Sequence, residues 1–307
     1  MPPHAFAVER ERLLGAAFRR AGETFRLEES HAVELPAGLL GSGPLGAPVG
    51  EAAALERAVH DLVRRFARRP RQASLVLPDL WARGMVVELG ALPVAAELRA
   101  EVLRFRLRKL VPYRVEELRI AAQPIAAVTG QEDSVRALAL YASEAVTAAL
   151  ERAFARAEVR LGQIVNASLA RLGALAHRGR LPGLVAVAAV EPGGITLVFA
   201  RDGEPVLWRQ KSFVDGAEAA ARGPWLASEL RLTRTFLAER LGDARIDGVL
   251  LACAREAAPA WNEVLGEGLG RPVAALEPGF LPLAETLPRA QAVELAPLVG
   301  AACREVA

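Results

Sequence analysis

The stretch Leu184-Val185-Ala186-Val187-Ala188-Ala189-Val190-Glu191-Pro192-Gly193-Gly194-Ile195-Thr196-Leu197-Val198-Phe199-Ala200-Arg201-Asp202-Gly203-Glu204-Pro205-Val206-Leu207-Trp208-Arg209-Gln210-Lys211-Ser212-Phe213 decides how the whole chain is read. Three runs, Leu184–Val190, Ile195–Arg201 and Pro205–Phe213, are strand-like and rich in apolar residues. The signals between them, Pro192-Gly193-Gly194 and Asp202-Gly203, are short enough for hairpins and too short for crossovers. A helix at Trp225–Leu241, a strand at Asp247–Leu251, a helix with Pro259 near its start and a short strand at Pro272–Ala274 follow. The element order is βββαβα.

The same order is expected at the beginning. Ala5–Glu9, Leu13–Arg20 and Phe25–Leu35 read as strands. A helix follows with Leu55, Val59, Leu62, Val63 and Phe66 on one face of period 3.6, ending before Pro70. Ser74–Leu77 is the next strand, and the pattern resumes with a strand at Leu161–Val165 and a helix at Ala167–His177. Between the two parts lies an αββα unit: a charged helix at Ala95–Leu110, strands at Leu118–Val128 and Val135–Tyr141, and a helix at Glu144–Ala157. Gly130-Gln131-Glu132-Asp133 would turn between the strands, and Ser143 would cap the second helix. The fold class is therefore α/β, a duplicated βββαβα with a small α+β unit inserted in its first half. The duplication rests on element order.

Composition limits the chemistry. The 307 residues are 52% hydrophobic, with 38 basic and 36 acidic side chains and a net charge of +2, which excludes a disordered or collagenous chain. Lys109 and Lys211 are the only lysines, so the arginines reflect a residue bias more than a function. Two distant cysteines, Cys253 and Cys303, suggest neither a disulfide framework nor zinc, and a reducing compartment. The opening Met1-Pro2-Pro3-His4 lacks the basic and apolar regions of a secretory leader, so a cytoplasmic protein is expected.

Most catalytic motifs are missing. Gly41-Ser42-Gly43-Pro44-Leu45-Gly46 has dinucleotide spacing, but Pro44 and Pro48 prolong it into a loop. Neither lysine sits in a Walker A loop, and no HExxH, GxSxG or CxxC occurs. Two basic runs, Arg64 to Arg71 and Arg99 to Lys109, could meet nucleic acid or anionic lipid. Near-zero net charge and the lack of a stacking set make solvated helix faces the simpler reading. His60 and His177 read as surface or half-buried helix residues, and Trp225, Trp261 and Phe236 as core. Cys253 ends a buried-looking strand, with Arg255 nearby as the one feature favouring a reactive thiol.

With these elements in place, the chain resembles the actin, heat-shock ATPase and sugar-kinase superfamily. Within it the resemblance is to the type IV pilus assembly protein PilM family, related to the cell-division protein FtsA and the cytoplasmic domain of GspL. Leu92-Pro93 through Leu110-Val111-Pro112, Val187–Phe213 and the ending Leu295-Ala296-Pro297 to Ala301-Ala302 carry it. The resemblance implies a first actin-like lobe at 1–90 and 159–181, an inserted subdomain at 91–158, a second lobe at 182–292 and a closing helix at 293–307 that returns to the first lobe.

The resemblance also implies two phosphate-binding hairpins and an adenosine-binding strand end, and the residues here depart from that pattern. The first hairpin, Val8-Glu9-Arg10-Glu11-Arg12-Leu13, has no glycine. The second keeps Gly193, Gly194 and Thr196 but has Glu191 in place of aspartate. At the strand end Ala252-Cys253-Ala254-Arg255 replaces a glycine pair, adding Cβ atoms where adenosine would lie. Glu9, Glu191, Gly193, Gly194, Thr196, Ala252 and Cys253 would line any surviving ATP–magnesium site, which is expected to be weak or lost.

The implied role is a cytoplasmic scaffold with no catalytic residues or metal of its own. It would bind the N-terminal tail of a PilN-like inner-membrane protein in a groove bordered by Ala95–Leu110 and Leu118–Val128. Further contacts would be a motor ATPase and a second copy of itself, with no nucleic acid and with the membrane reached only through the partner. The alternative is an ATP-dependent small-molecule kinase on the same fold, for which Asp79 and Asp215 are the conceivable bases.

Overall fold

The computed structural model describes residues 4–41, 45–46, 49–91, 93–125, 135–177, 181–213, 219–241 and 245–304. The first sheet starts with the antiparallel meander β1 (His4–Val8), β2 (Arg12–Ala21) and β3 (Thr24–Glu34). The helix α1 (Ala52–Arg64) follows and buries Leu55, Val59, Leu62 and Val63, the stripe expected from their spacing. The crossover returns the chain to β4 (Gln72–Leu77), parallel to β1.

The chain then departs from the sequence reading, which left 82–89 without an element. Residues Ala82–Leu89 form β5, so the inserted sheet begins ahead of the expected boundary at residue 91. After it come α2 (Ala96–Leu107), β6 (Leu118–Ile125), β7 (Val135–Ser143) and α3 (Glu144–Arg156). The three strands pair antiparallel in the order β5-β7-β6. Ser143 caps α3 as expected, its side chain accepting from the Val146 amide. The expected turn at Gly130–Asp133 lies outside the described residues.

Parallel pairing resumes with β8 (Arg160–Asn166), completing the order β3-β2-β1-β4-β8, and α4 (Ala167–Ala176) follows. The second sheet repeats the first. Its strands β9 (Leu184–Glu191), β10 (Gly194–Arg201) and β11 (Glu204–Ser212) form the deciding meander. Asp202 and Gly203 both have positive φ, 52° and 86°, as a tight hairpin between right-twisted strands requires. Next come α5 (Ala219–Leu241), β12 (Gly248–Ala252), α6 (Ala258–Leu269) and β13 (Val273–Ala275), giving the order β11-β10-β9-β12-β13. The helix α5 starts upstream of the expected Trp225 and runs through Pro224, whose fixed φ is compatible with a helix and removes only one amide donor.

The last helix, α7 (Arg289–Arg304), begins before the expected residue 293 and packs on β1, β2, β4 and α4. It is buried on nearly every side: Ala292, Leu295, Ala296, Leu298, Val299, Ala301 and Ala302 are all at most 2% exposed. The core it fills includes Ala5, Leu14 and Val76 of the first sheet and Val185, Val187 and Val198 of the second. Two further clusters fill the outer faces, one between the first sheet and helices α1 and α3, the other between the second sheet and helices α5 and α6.

Candidate functional site

Parallel strands place the residues that follow them at one end of a sheet, where ligands of α/β proteins bind. In the first sheet β1, β4 and β8 run in parallel or in register with one another, so Glu9, Asp79 and the start of α4 meet at that end. In the second sheet Ala252 on β12 pairs with Ala189 on β9, so Cys253 lies beside the hairpin that carries Glu191. The two ends face each other. The backbone carbonyl of Asp79 accepts from Gln210 Nε2, and a Cβ on Gly193 would lie 2.7 Å from Leu80 Cδ2.

The first hairpin is held by charge rather than by open amides. Arg12 Nε donates to Glu9 Oε2 at 2.6 Å, and its Nη2 reaches Glu294 Oε1 on α7 at 2.7 Å. On the other strand end Asp79 is 3% exposed and takes both the amide (2.8 Å) and the hydroxyl of Ser168. Asn166 accepts from the Leu169 amide at 2.9 Å and donates to the Ala82 carbonyl at 3.0 Å. The N-terminal amides of α4, the ordinary place for an anion, are thus engaged by the chain's own side chains.

Arg171, 5% exposed, is the buried cation of the cluster. Its Nη1 is 3.5 Å from the Ser168 hydroxyl, and its Nε has no hydrogen-bond partner. Glu191 is half-buried, and its carboxyl is pushed up to about 8, chiefly by loss of solvation and then by the negative charge of Asp79; Arg171 opposes this rise and Glu9 adds to it. Three carboxyl groups, Glu9, Asp79 and Glu191, and two guanidiniums, Arg12 and Arg171, therefore gather at these strand ends.

The glycines of the second hairpin have packing reasons of their own. A Cβ on Gly194 would lie 2.4 Å from the Lys211 carbonyl oxygen, so the close approach of β11 demands glycine there. Thr196 is 2% exposed and stands inside the sheet; Ala252 and Cys253 are 3% and 5% exposed. Burial raises the Cys253 thiol above its ordinary range, Arg289 pulling the other way, so it is a packed apolar residue rather than a reactive thiolate. Among the described residues no group of three or more metal-ligating side chains is assembled.

No protein-family profile matches the chain, and no curated protein does. Solved structures do. A chain of a PilM–PilN type IV pilus biogenesis complex is 17% identical with a TM-score of 0.77, covering 100% of this chain and 99% of its own. A protein of unknown function from Bacteroides thetaiotaomicron with an actin-like ATPase fold is 12% identical, TM-score 0.55, with 95% of each chain covered. The fold is that of the actin-like ATPases. The cytoplasmic domain of EpsL, an inner-membrane component of the Vibrio cholerae type II secretion system, has this fold too, at 8% identity and TM-score 0.51, with 97% of this chain and 95% of its own covered.

Within the actin-like frame, Glu9, Glu191, Gly193 and Gly194 stand at the facing ends of the two sheets, while Thr196, Ala252 and Cys253 are spent on packing. Sequence reasoning missed Leu80, Ser168, Arg171 and Gln210. It considered Asp79 only as a kinase base, a role its two bonds to Ser168 oppose; Asp215 lies outside the described residues. The available signal was Leu77-Pro78-Asp79, an apolar strand stopped by proline and followed by a carboxylate where a parallel strand ends.

Proposed function

We propose that this chain is a scaffold of a type IV pilus or related type II secretion assembly platform, docking the N-terminal tail of a PilN-like membrane protein, with nucleotide binding weak or lost. The observation carrying this reading is the likeness, along the full length of both chains, to a protein of a PilM–PilN complex. The EpsL likeness supports the same class of machine.

The inserted sheet supports the docking part. Among the described residues β6 pairs only with β7, which leaves its outer edge open to an added strand. Arg119, Gln123 and Pro124 interrupt the apolar residues of Leu118-Arg119-Ile120-Ala121-Ala122-Gln123-Pro124-Ile125, as suits an edge strand kept from aggregating. The crowding of Asp79, Glu191 and Glu9 beside Leu80 supports the loss of phosphate binding, since an incoming triphosphate would meet carboxylates and a methyl group.

The test is fluorescence anisotropy with a labelled N-terminal tail of a PilN-like protein from the same organism, together with calorimetry in Mg-ATP. Saturable peptide binding is expected, lost when proline replaces Ala121 or Ala122, whichever amide points outward from β6. No heat with Mg-ATP and no melting shift are expected, where a nucleotide at about a hundred times its Kd would add about 2.7 kcal/mol. Absence of peptide binding, or binding indifferent to both prolines, overturns the docking assignment. Micromolar Mg-ATP binding overturns the loss of the nucleotide.

A further inference from the structure

The helix α2 presents two opposed faces. Leu103 and Leu107, 1% and 0% exposed, press it onto the three-stranded sheet. On the other face Leu98 and Phe105 are 55% and 64% exposed, and just beyond the two helix ends Val94 and Leu110 are 93% and 45% exposed. Only one other large hydrophobic among the described residues is comparably exposed, Leu232 on α5. At 100° per residue, Leu98 and Phe105 project within about 20° of one direction.

Cations surround these side chains. Lys109 Nζ lies 5.4 Å above the Phe105 ring. Arg104 and Arg106 have no ion-pair partner among the described residues, whereas Arg108 is held by Glu116 at 2.7 Å. Arg99 is tied to the carbonyls of Pro93 and Val94, both at 2.9 Å, which fixes the strand-to-helix entry and leaves Val94 projecting. Glu97 and Glu101 are the acids on the helix itself.

The sequence alone made this basic run a solvated helix face. That reading accounts for the arginines and leaves four protruding apolar side chains unexplained. Nucleic acid would satisfy the cations, but one phenylalanine and three aliphatic residues are a poor stacking surface. A bilayer of anionic phospholipid satisfies both: aliphatic and aromatic side chains enter the acyl boundary while lysine and arginine meet the phosphates. Exposures of 64% and 93% belong to side chains that stand out from the surface, as insertion needs, rather than line a groove.

We propose that α2 and its flanks are a peripheral membrane-contact surface for anionic phospholipid. The contact requires no partner protein, so it stands or falls apart from the docking assignment, and it adds a direct route to the expectation that the membrane is reached only through a partner.

The experiment is co-sedimentation of the full chain with vesicles of phosphatidylethanolamine and phosphatidylglycerol, against phosphatidylcholine alone. Retention on the anionic vesicles is expected, weakening as salt rises. The pair Leu98→Ser with Phe105→Ser, and separately Arg104→Glu with Arg106→Glu, should each reduce it roughly tenfold, while Leu232→Ser leaves it unchanged. All positions are at the surface of a helix, and unaltered melting of each variant checks that the fold is intact. No retention, equal retention on neutral vesicles, or retention indifferent to both pairs overturns the proposal. Binding to DNA without binding to vesicles overturns it also and assigns the face to nucleic acid.

Discussion

Glu191 shows how a single position can mark the fate of a site. Its carboxyl is raised because solvent is largely replaced by protein and because Asp79 and Glu9 face it. In the unfolded chain the group ionises near its ordinary value of 4.5, and in the folded chain only near 8. Between those values the folded state holds a proton that the unfolded state has released, so stability falls as pH rises. Below pH 4.5 both states are protonated and the full contribution is present. Glu191→Gln mimics the protonated form at every pH. We expect it to match the parent near pH 4 and to exceed it at pH 8 by on the order of 1 kcal/mol or more, read from urea midpoints. A variant less stable than the parent at pH 8 would mean that the carboxylate is stabilised there. Asp79 acts through its hydrogen bonds, since its two bonds to Ser168 tie the end of β4 to the first turn of α4. Replacing it by alanine leaves the Ser168 amide without its acceptor and should lower stability by about 1–2 kcal/mol, with asparagine losing less because an amide oxygen still accepts.

At the scale of elements, helix crossings and sheet docking explain residues that the sequence left silent. A Cβ on Gly300 of α7 would lie 1.7 Å from the Ala170 carbonyl of α4, so only glycine lets these two helices cross so closely. Gly300→Ala must push two buried helices apart and should cost roughly 2–3 kcal/mol, measured as a lower urea midpoint at unchanged slope; an unshifted midpoint would mean the crossing is loose. Gly84 on β5 is of the same kind, its absent Cβ making room for the Trp208 ring 2.6 Å away. That contact joins the inserted sheet to β11, aided by Arg83 reaching the Gln210 carbonyl and Ser212 hydroxyl at 3.4 Å and by Arg136 donating to the Val206 carbonyl at 2.7 Å.

These contacts explain what was legible beforehand. The meanders and α1 were readable because strand period, hairpin glycines and a helical stripe are local signals, and Asp202-Gly203 carried its own turn geometry. The strand β5 was not, because Arg83, Gly84 and Glu88 interrupt its apolar run for reasons set by the distant β11. Glu9 and Glu191 were found by their place in hairpins. Leu80, the Ser168–Arg171 turn of α4 and Gln210 reach the same place from three separate segments, and no spacing along the chain brings the three together.

For the whole molecule the question is whether two repeated halves behave as one. Sheet duplication alone would permit independent lobes, yet α4 and α7 lie in one core with side chains from both large sheets and with Ile125 and Leu138 of the inserted sheet. Opening either half exposes the same helices, so neither has a complete apolar partner without the other. Calorimetry of the full chain should therefore show a single transition whose calorimetric and van't Hoff enthalpies agree. A chain ended at residue 288, before α7, should lose that transition altogether, because the missing helix supplies seven side chains at most 2% exposed to the shared core. Two separated transitions in the full chain, or cooperative melting of the shortened one, would instead make the lobes independent bodies joined by a dispensable helix. Such lobes could open and close around a ligand. A single cooperative unit fits a platform component that holds its partners in fixed geometry.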